Sequence, residues 1–172
     1  MHKSAMLRKY WDMLRLNPAT MENTPAFSLS GLKCIGKVLH VYDGDTLWLA
    51  VVYPGHKVYR YRVRMYGYDA PELHPLKTTP NLEEIVDAAK RSTEKLKELT
   101  SRTGFVEVEF FAYDKYGRPM VKLTIPGQSR TINDQMMQGG FGVEYYGGKK
   151  GNGIPINCEH PIEEKDDACR SI

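Results

Sequence analysis

Arg60-Tyr61-Arg62-Val63-Arg64-Met65-Tyr66-Gly67-Tyr68-Asp69-Ala70-Pro71-Glu72, RYRVRMYGYDAPE, decides how the rest of the chain is read. Three arginines stand at every second position, so in a strand Arg60, Arg62 and Arg64 share one face. Gly67 frees the backbone where the strand ends, and Pro71 disfavours helix at Ala70. Asp69 and Glu72 flank the Ala-Pro pair. Taken separately, the arginines read as a solubilising face and the acids as a surface turn. Taken together they read differently. Guanidinium forks match phosphate oxygens, and acids at an irregular strand exit suit a metal ligand and a base.

On the N-terminal side, residues 34–41 and 45–53 read as two strands before a third at 58–66. Asp43-Gly44 separates the first two, and Pro54-Gly55 the second from the third. Asp43-Gly44-Asp45-Thr46 is a hairpin signal that also sets two carboxylates two residues apart. On the C-terminal side, a helix is expected from Asn81 to about Leu99, with Glu84 as capping-box partner. Its apolar stripe is Leu82, Ile85, Val86, Ala89, Leu96 and Leu99. Residues 105–111 alternate as a strand, Asp114-Lys115-Tyr116-Gly117-Arg118 turns, and 119–125 returns. Residues 132–138 read as a short helix stopped by Gly139-Gly140. The expected fold class is α+β, a five-stranded OB-type β-barrel with flanking helices.

The ends differ from the middle. Residues 3–16 read as an amphipathic helix carrying Met6, Leu7, Tyr10, Trp11 and Leu14, ended by Pro18. Residues 17–31 read as a linker. The expected organisation is an extension at 1–31, the barrel domain at 32–149 and an acidic tail at 150–172. The helix is expected either to dock on a barrel flank, its own or a neighbour's, or to serve as an arm that orders in a larger assembly.

Composition bounds the function classes. The chain has 172 residues, 41% apolar and 26% charged, as in a globular domain. No run approaches the roughly 18 apolar residues of a membrane span. Residues 1–20 carry Arg8, Lys9, Asp12 and Arg15, unlike a secretory signal, and three cysteines leave one unpaired by any internal disulfide. The expected compartment is intracellular or reducing. Net charge is +3, with eighteen Lys/Arg against fourteen Asp/Glu in 31–150 and two against five in 151–172. A mildly basic body is compatible with a polyanion partner.

Three ambiguous sites gain weight together, because hydrolysing a phosphodiester needs a cation, a base and positive donors for the transition state. DGDT at 43–46, R-x-x-G-x-DAPE at 64–72 and DKYGR at 114–118, in that order, resemble the staphylococcal nuclease-like, or thermonuclease, family over about residues 33–147. The resemblance implies an OB-fold barrel and a Ca²⁺-dependent nuclease acting on DNA and RNA. It implies Asp45 and Asp69 as metal ligands, with the Ala70 backbone carbonyl, and Asp43 as an acid behind them. Arg64 and Arg118 would hold the scissile phosphate, and Glu72 would orient or deprotonate water. Lys115 and Tyr116 would contact a terminal phosphate, and Tyr145 or Tyr146 would flank the nucleotide. Lys77 joins the substrate contacts, since Leu73-His74-Pro75-Leu76-Lys77 resembles the family's loop beside the active site.

There are departures. The long C-terminal helix usual in bacterial members is not legible in 150–172, and the helix at 3–16 is an addition. Cys158, His160 and Cys169 have no familiar zinc spacing and read as thiols and an imidazole of a loose tail. His40, His56 and His74 read as surface residues, Trp11 and Trp48 as packing, and Tyr66 and Tyr68 as either. Two rival functions stand beside the nuclease. One is a barrel that binds single-stranded nucleic acid without cutting it. The other is a building block of a virus particle or other large complex.

Overall fold

The computed structural model describes residues 2–53, 57–102 and 104–146. The acidic tail with Cys158, His160 and Cys169, and also Pro54, Gly55 and His56, lie outside the described residues.

The elements are α1 (His2–Leu16), β1 (Lys33–Val41), β2 (Thr46–Tyr53), β3 (Lys57–Met65), β4 (Gly67–Asp69), α2 (Leu82–Ser101), β5 (Val106–Tyr113), β6 (Pro119–Thr124), α3 (Ile132–Gln138) and β7 (Val143–Tyr145). Five strands close a barrel in the order β1-β2-β3-β6-β5, as the strand count predicts. All neighbours pair antiparallel except β3 and β6, which run parallel through Arg64↔Met120 and Met65↔Val121. β4 and β7 form a separate two-stranded ribbon that the residue pattern does not foretell. Gly67 begins it at φ 92°, a left-handed turn that releases β3 from the barrel.

Alternation builds the core. Leu47, Leu49 and Val51 of β2 point inward, with Val63 and Met65 of β3, Val106, Val108 and Phe110 of β5, and Val121 and Leu123 of β6. Leu96 and Leu99 of α2 and Ile132 and Met136 of α3 close it. Each such side chain contributes about 1.5–3 kcal/mol by leaving water. The core begins earlier than expected. Leu29 is buried, its N–H donates to the Tyr113 hydroxyl at 3.2 Å, and the Gly31 N–H donates to Phe110 O at 2.8 Å. The end of the presumed linker is therefore part of the barrel.

Two further expectations are corrected. Asn81 adopts a left-handed conformation (φ 55°, ψ 39°) and its side chain makes no cap hydrogen bond, so the capping box with Glu84 does not form. A capping side chain needs extended backbone at that position. The burial of α2 is also displaced toward its second half. Ala88, Ala89, Ser92, Thr93, Leu96, Leu99 and Thr100 are buried, while Leu82, Ile85 and Val86 are half-buried. α1 forms, but it does not dock on its own barrel: Met6, Leu7, Tyr10, Trp11 and Leu14 are all exposed. Among the described residues no helix is long and apolar enough to cross a membrane.

Candidate functional site

The turn between β1 and β2 carries the first acids. The Asp43 carboxylate braces it by accepting from the Asp45 N–H at 3.1 Å. Gly44 is buried against α2. A Cβ there would lie 2.1 Å from Ser92 Oγ and 2.7 Å from the Ala70 Cβ. This contact sets the turn beside the strand exit. Asp45 Oδ2 accepts from the Ala70 N–H at 3.1 Å, and Oδ1 accepts from the Thr46 hydroxyl at 2.8 Å. Tyr68, fully buried, fixes the same turn by donating its hydroxyl to Gly44 O at 2.8 Å.

Arg64 joins the two acids. Its Nη1 lies 3.0 Å from Asp45 Oδ2, and its Nη2 pairs with Asp69 Oδ1. All three side chains are largely buried. Burial pushes the Asp45 carboxyl up to about 6, with Arg64 opposing and Asp43 adding to the rise. Burial pulls the Arg64 guanidinium down, but Asp45 and Asp69 together hold it above its ordinary value. The Arg64 guanidinium also lies 5.7 Å from the Tyr145 ring.

Arg118 arrives from a second turn. Thr46 pairs with Arg64 across β2 and β3, and parallel β6 starts level with Arg64. The residue just before β6 therefore reaches the same place. Arg118 Nη1 donates to Thr46 Oγ1 at 3.2 Å, and Nε donates to Asp114 Oδ2 at 2.6 Å. Asp114 Oδ1 also accepts from the Tyr116 and Arg118 N–H groups, at 2.9 and 2.8 Å. Burial would raise the Asp114 carboxyl, but these N–H donors and Arg118 outweigh it and hold it below its ordinary value. The Tyr116 ring lies 5.0 Å from the Lys115 ammonium and 5.5 Å from the Arg118 guanidinium.

Asp43, Asp45, Asp69, Ala70, Arg64 and Arg118 thus lie in one connected network with Tyr145 against it. Lys115 and Tyr116 sit on its rim. Glu72 and Lys77 are exposed on the loop after Ala70 and hydrogen-bond to none of the described residues. The β7 alternation separates the two tyrosines: Tyr146 turns away from Arg64 to pack against Tyr66, ring centroids 5.6 Å apart. A hollow of about 140 Å³ lined by Tyr66, Lys122, Asp134 and Tyr146 lies there. It shares no residue with the acid–arginine network. Thr46, Tyr68 and Ser92 are further residues of the site. Thr46, inside the DGDT block, and Tyr68, beside Gly67, leave a trace in the sequence, and Ser92 leaves none.

Asp45 and Asp69 share one guanidinium, and Asp43 lies close enough to push the Asp45 carboxyl further up, an excess of negative charge in a largely buried place. Oxygen donors under that condition fit a hard divalent cation. Among the described residues no three His, Cys, Asp or Glu side chains gather as a ready metal cage. Asp45 and Asp69 are the side chains that could hold an ion, with further oxygens from backbone, water or substrate. Matched against known families, residues 62–154 fit the one described as Staphylococcal nuclease homologue. No curated protein matches the chain.

Proposed function

The chain belongs to the staphylococcal nuclease homologue family, and from that premise we propose that it is a Ca²⁺-dependent phosphodiesterase. It cleaves DNA, RNA or both with little sequence specificity and leaves 3′-phosphate and 5′-hydroxyl ends. One observation carries this reading. Two buried carboxylates grip one face of Arg64, and a second arginine, Arg118, reaches the threonine beside them.

Asp45, Asp69 and the Ala70 carbonyl would hold the ion, with Asp43 behind them. When bound, Ca²⁺ supplies a positive charge that polarises the phosphate and favours hydroxide formation. Arg64 and Arg118 bind the scissile phosphate and meet the charge that grows on its equatorial oxygens. Each guanidinium has five N–H donors, so pairing with a carboxylate does not exhaust it. Glu72, exposed on its loop, orients or deprotonates the attacking water. Tyr145 flanks the nucleotide, Lys115 and Tyr116 meet its terminal phosphate, and Lys77 adds a substrate contact from the loop after Ala70. Contacts of this kind read the backbone rather than base edges, which is why sequence preference is weak. The exposed apolar face of α1 supports a protein partner or larger assembly for the extension at 1–31.

Cleavage of a fluorescent oligonucleotide, followed during Ca²⁺ titration, tests the reading. Ca²⁺ supports cleavage, chelator abolishes it, and Mg²⁺, with its stricter octahedral geometry, supports it poorly. Full activity in excess chelator overturns it.

A further inference from the structure

The outer face of β1, β2 and β3 has a pattern that the acid–arginine network does not use. These strands hold Lys33, Lys37, Lys57, Arg60, Arg62 and Arg64 and no Asp or Glu. Register sets the side chains in rows across the sheet. Lys37, Ala50 and Arg60 form one row, and His40, Trp48 and Arg62 the next. Thr46 and Arg64 follow, at the candidate site.

Two cations of this face, Arg60 and Arg62, lie over rings rather than paired with acids, while Lys33 at its edge pairs with Glu109 at 3.0 Å. The Arg60 guanidinium lies 5.5 Å from the Trp48 ring, and that of Arg62 lies 4.7 Å from the Tyr42 ring. Among the described residues neither makes an ion pair, whereas Arg64 pairs with two carboxylates. Arg60 and Arg62 are exposed, Tyr42 is 46% exposed and Trp48 is half-buried. Trp48, read from sequence as a packing residue, is half-buried with the Arg60 guanidinium over its ring.

We propose that this face is a binding track for single-stranded nucleic acid that delivers the strand to Arg64. Unpaired bases stack on the Trp48 and Tyr42 rings and on the guanidinium planes held against them, while Arg60, Arg62 and Lys37 meet the phosphates. Holding the arginines on rings lowers the side-chain entropy lost on binding. A duplex keeps its bases stacked inside and leaves the rings nothing to take. An acidic protein surface would use the cations but not the rings. The direction of the track rests on the reading of Arg64 as a phosphate-binding residue.

The test is fluorescence anisotropy on the full chain in excess chelator, so that binding is read whether or not the chain cleaves. The probes are labelled single-stranded DNA and RNA of about 16 nucleotides, the upper site size of one OB barrel, and a duplex of equal length. Single strands should bind tighter than the duplex. Arg60→Ala/Arg62→Ala should weaken single-strand binding about tenfold and flatten the log–log salt slope by about 1.4, or about 0.7 per phosphate contact. Trp48→Leu should weaken it about fivefold or more with little change in slope. Arg60→Lys/Arg62→Lys keeps the charge, so the slope should return while part of the affinity stays lost. A loss in the DNA or the RNA arm supports the track and identifies its polymer. Unchanged binding in both arms overturns it. So does an equal loss from Lys90→Gln/Lys97→Gln on exposed α2. If the track variants lose binding while wild type never cleaves, the track stands and the nuclease reading falls.

Discussion

The turn at Asp43-Gly44-Asp45 and the turn from Asp114 to Arg118 both open with an aspartate that accepts from the backbone N–H two residues on, at 3.1 and 2.9 Å. Beyond that they part. The first is buried and wedged against α2 through Gly44, and it delivers a carboxylate into a desolvated place. The second stands largely in solvent, closes on itself through Asp114 and Arg118, and delivers a guanidinium. Burial raises the Asp45 carboxyl, while local donors lower that of Asp114. One chain motif thus serves two ends. Tertiary contacts bury and fix the carboxylate of the first turn, whereas local contacts fix the guanidinium of the second.

The arginines sharpen this contrast most. Arg64→Ala and Arg118→Ala should each slow cleavage about 10²–10³-fold, as loss of one transition-state donor does. Arg64→Ala should also destabilise the fold the more, by about 3 kcal/mol, because it strips two buried carboxylates of a shared partner. Urea unfolding beside single-turnover cleavage separates the two effects. Equal stability losses would break the comparison.

The glycines come next. Gly44→Ala should cost about 3 kcal/mol, the upper end for overpacking, since its Cβ meets Ser92 and Ala70 well inside contact distance. Gly117→Ala meets nothing within 4 Å, but φ is +76°, so backbone strain alone should cost about 1 kcal/mol. Melting temperatures of the two variants check the ranking.

pH gives the opposite signs. The folded pKa of Asp45, about 6, lies above its ordinary 3.8. The folded state therefore keeps the proton longer, and stability falls as pH rises between about 4 and 6. In chelator, Asp45→Asn should abolish a fall of about 2–3 kcal/mol across that window. Asp114 is lowered, so its contribution is present above its ordinary range and lost as pH falls through its folded pKa. Asp114→Asn should therefore destabilise at pH 7 and matter little in acid. Unfolding curves at pH 4 and pH 7 that shift the same way for both variants would refute the contrast.

Much of this was legible in the residues themselves. Alternating Val, Leu and Ile mark β2, β5 and β6, because a strand side chain has only two faces to choose between. Gly67, and the turn at Asp114–Arg118, announce themselves because their backbone needs are local. The DGDT, DAPE and DKYGR blocks name the charged residues of the site. What the chain could not show was distance and burial. Parallel pairing of β3 with β6, residues far apart in sequence, is what sets Arg118 beside Thr46 and Arg64. The choice between Tyr145 and Tyr146 depends on a three-residue ribbon too short to leave a pattern. Asp45 is indistinguishable from Asp43 by type, and only the packing of Gly44 on Ser92 makes one a desolvated acid and the other a brace. Leu29 looks like part of a polar linker until the barrel end it fills has been built. Local propensity needs only neighbours in sequence, whereas charge desolvation and convergence need neighbours in space, which the folded barrel alone supplies.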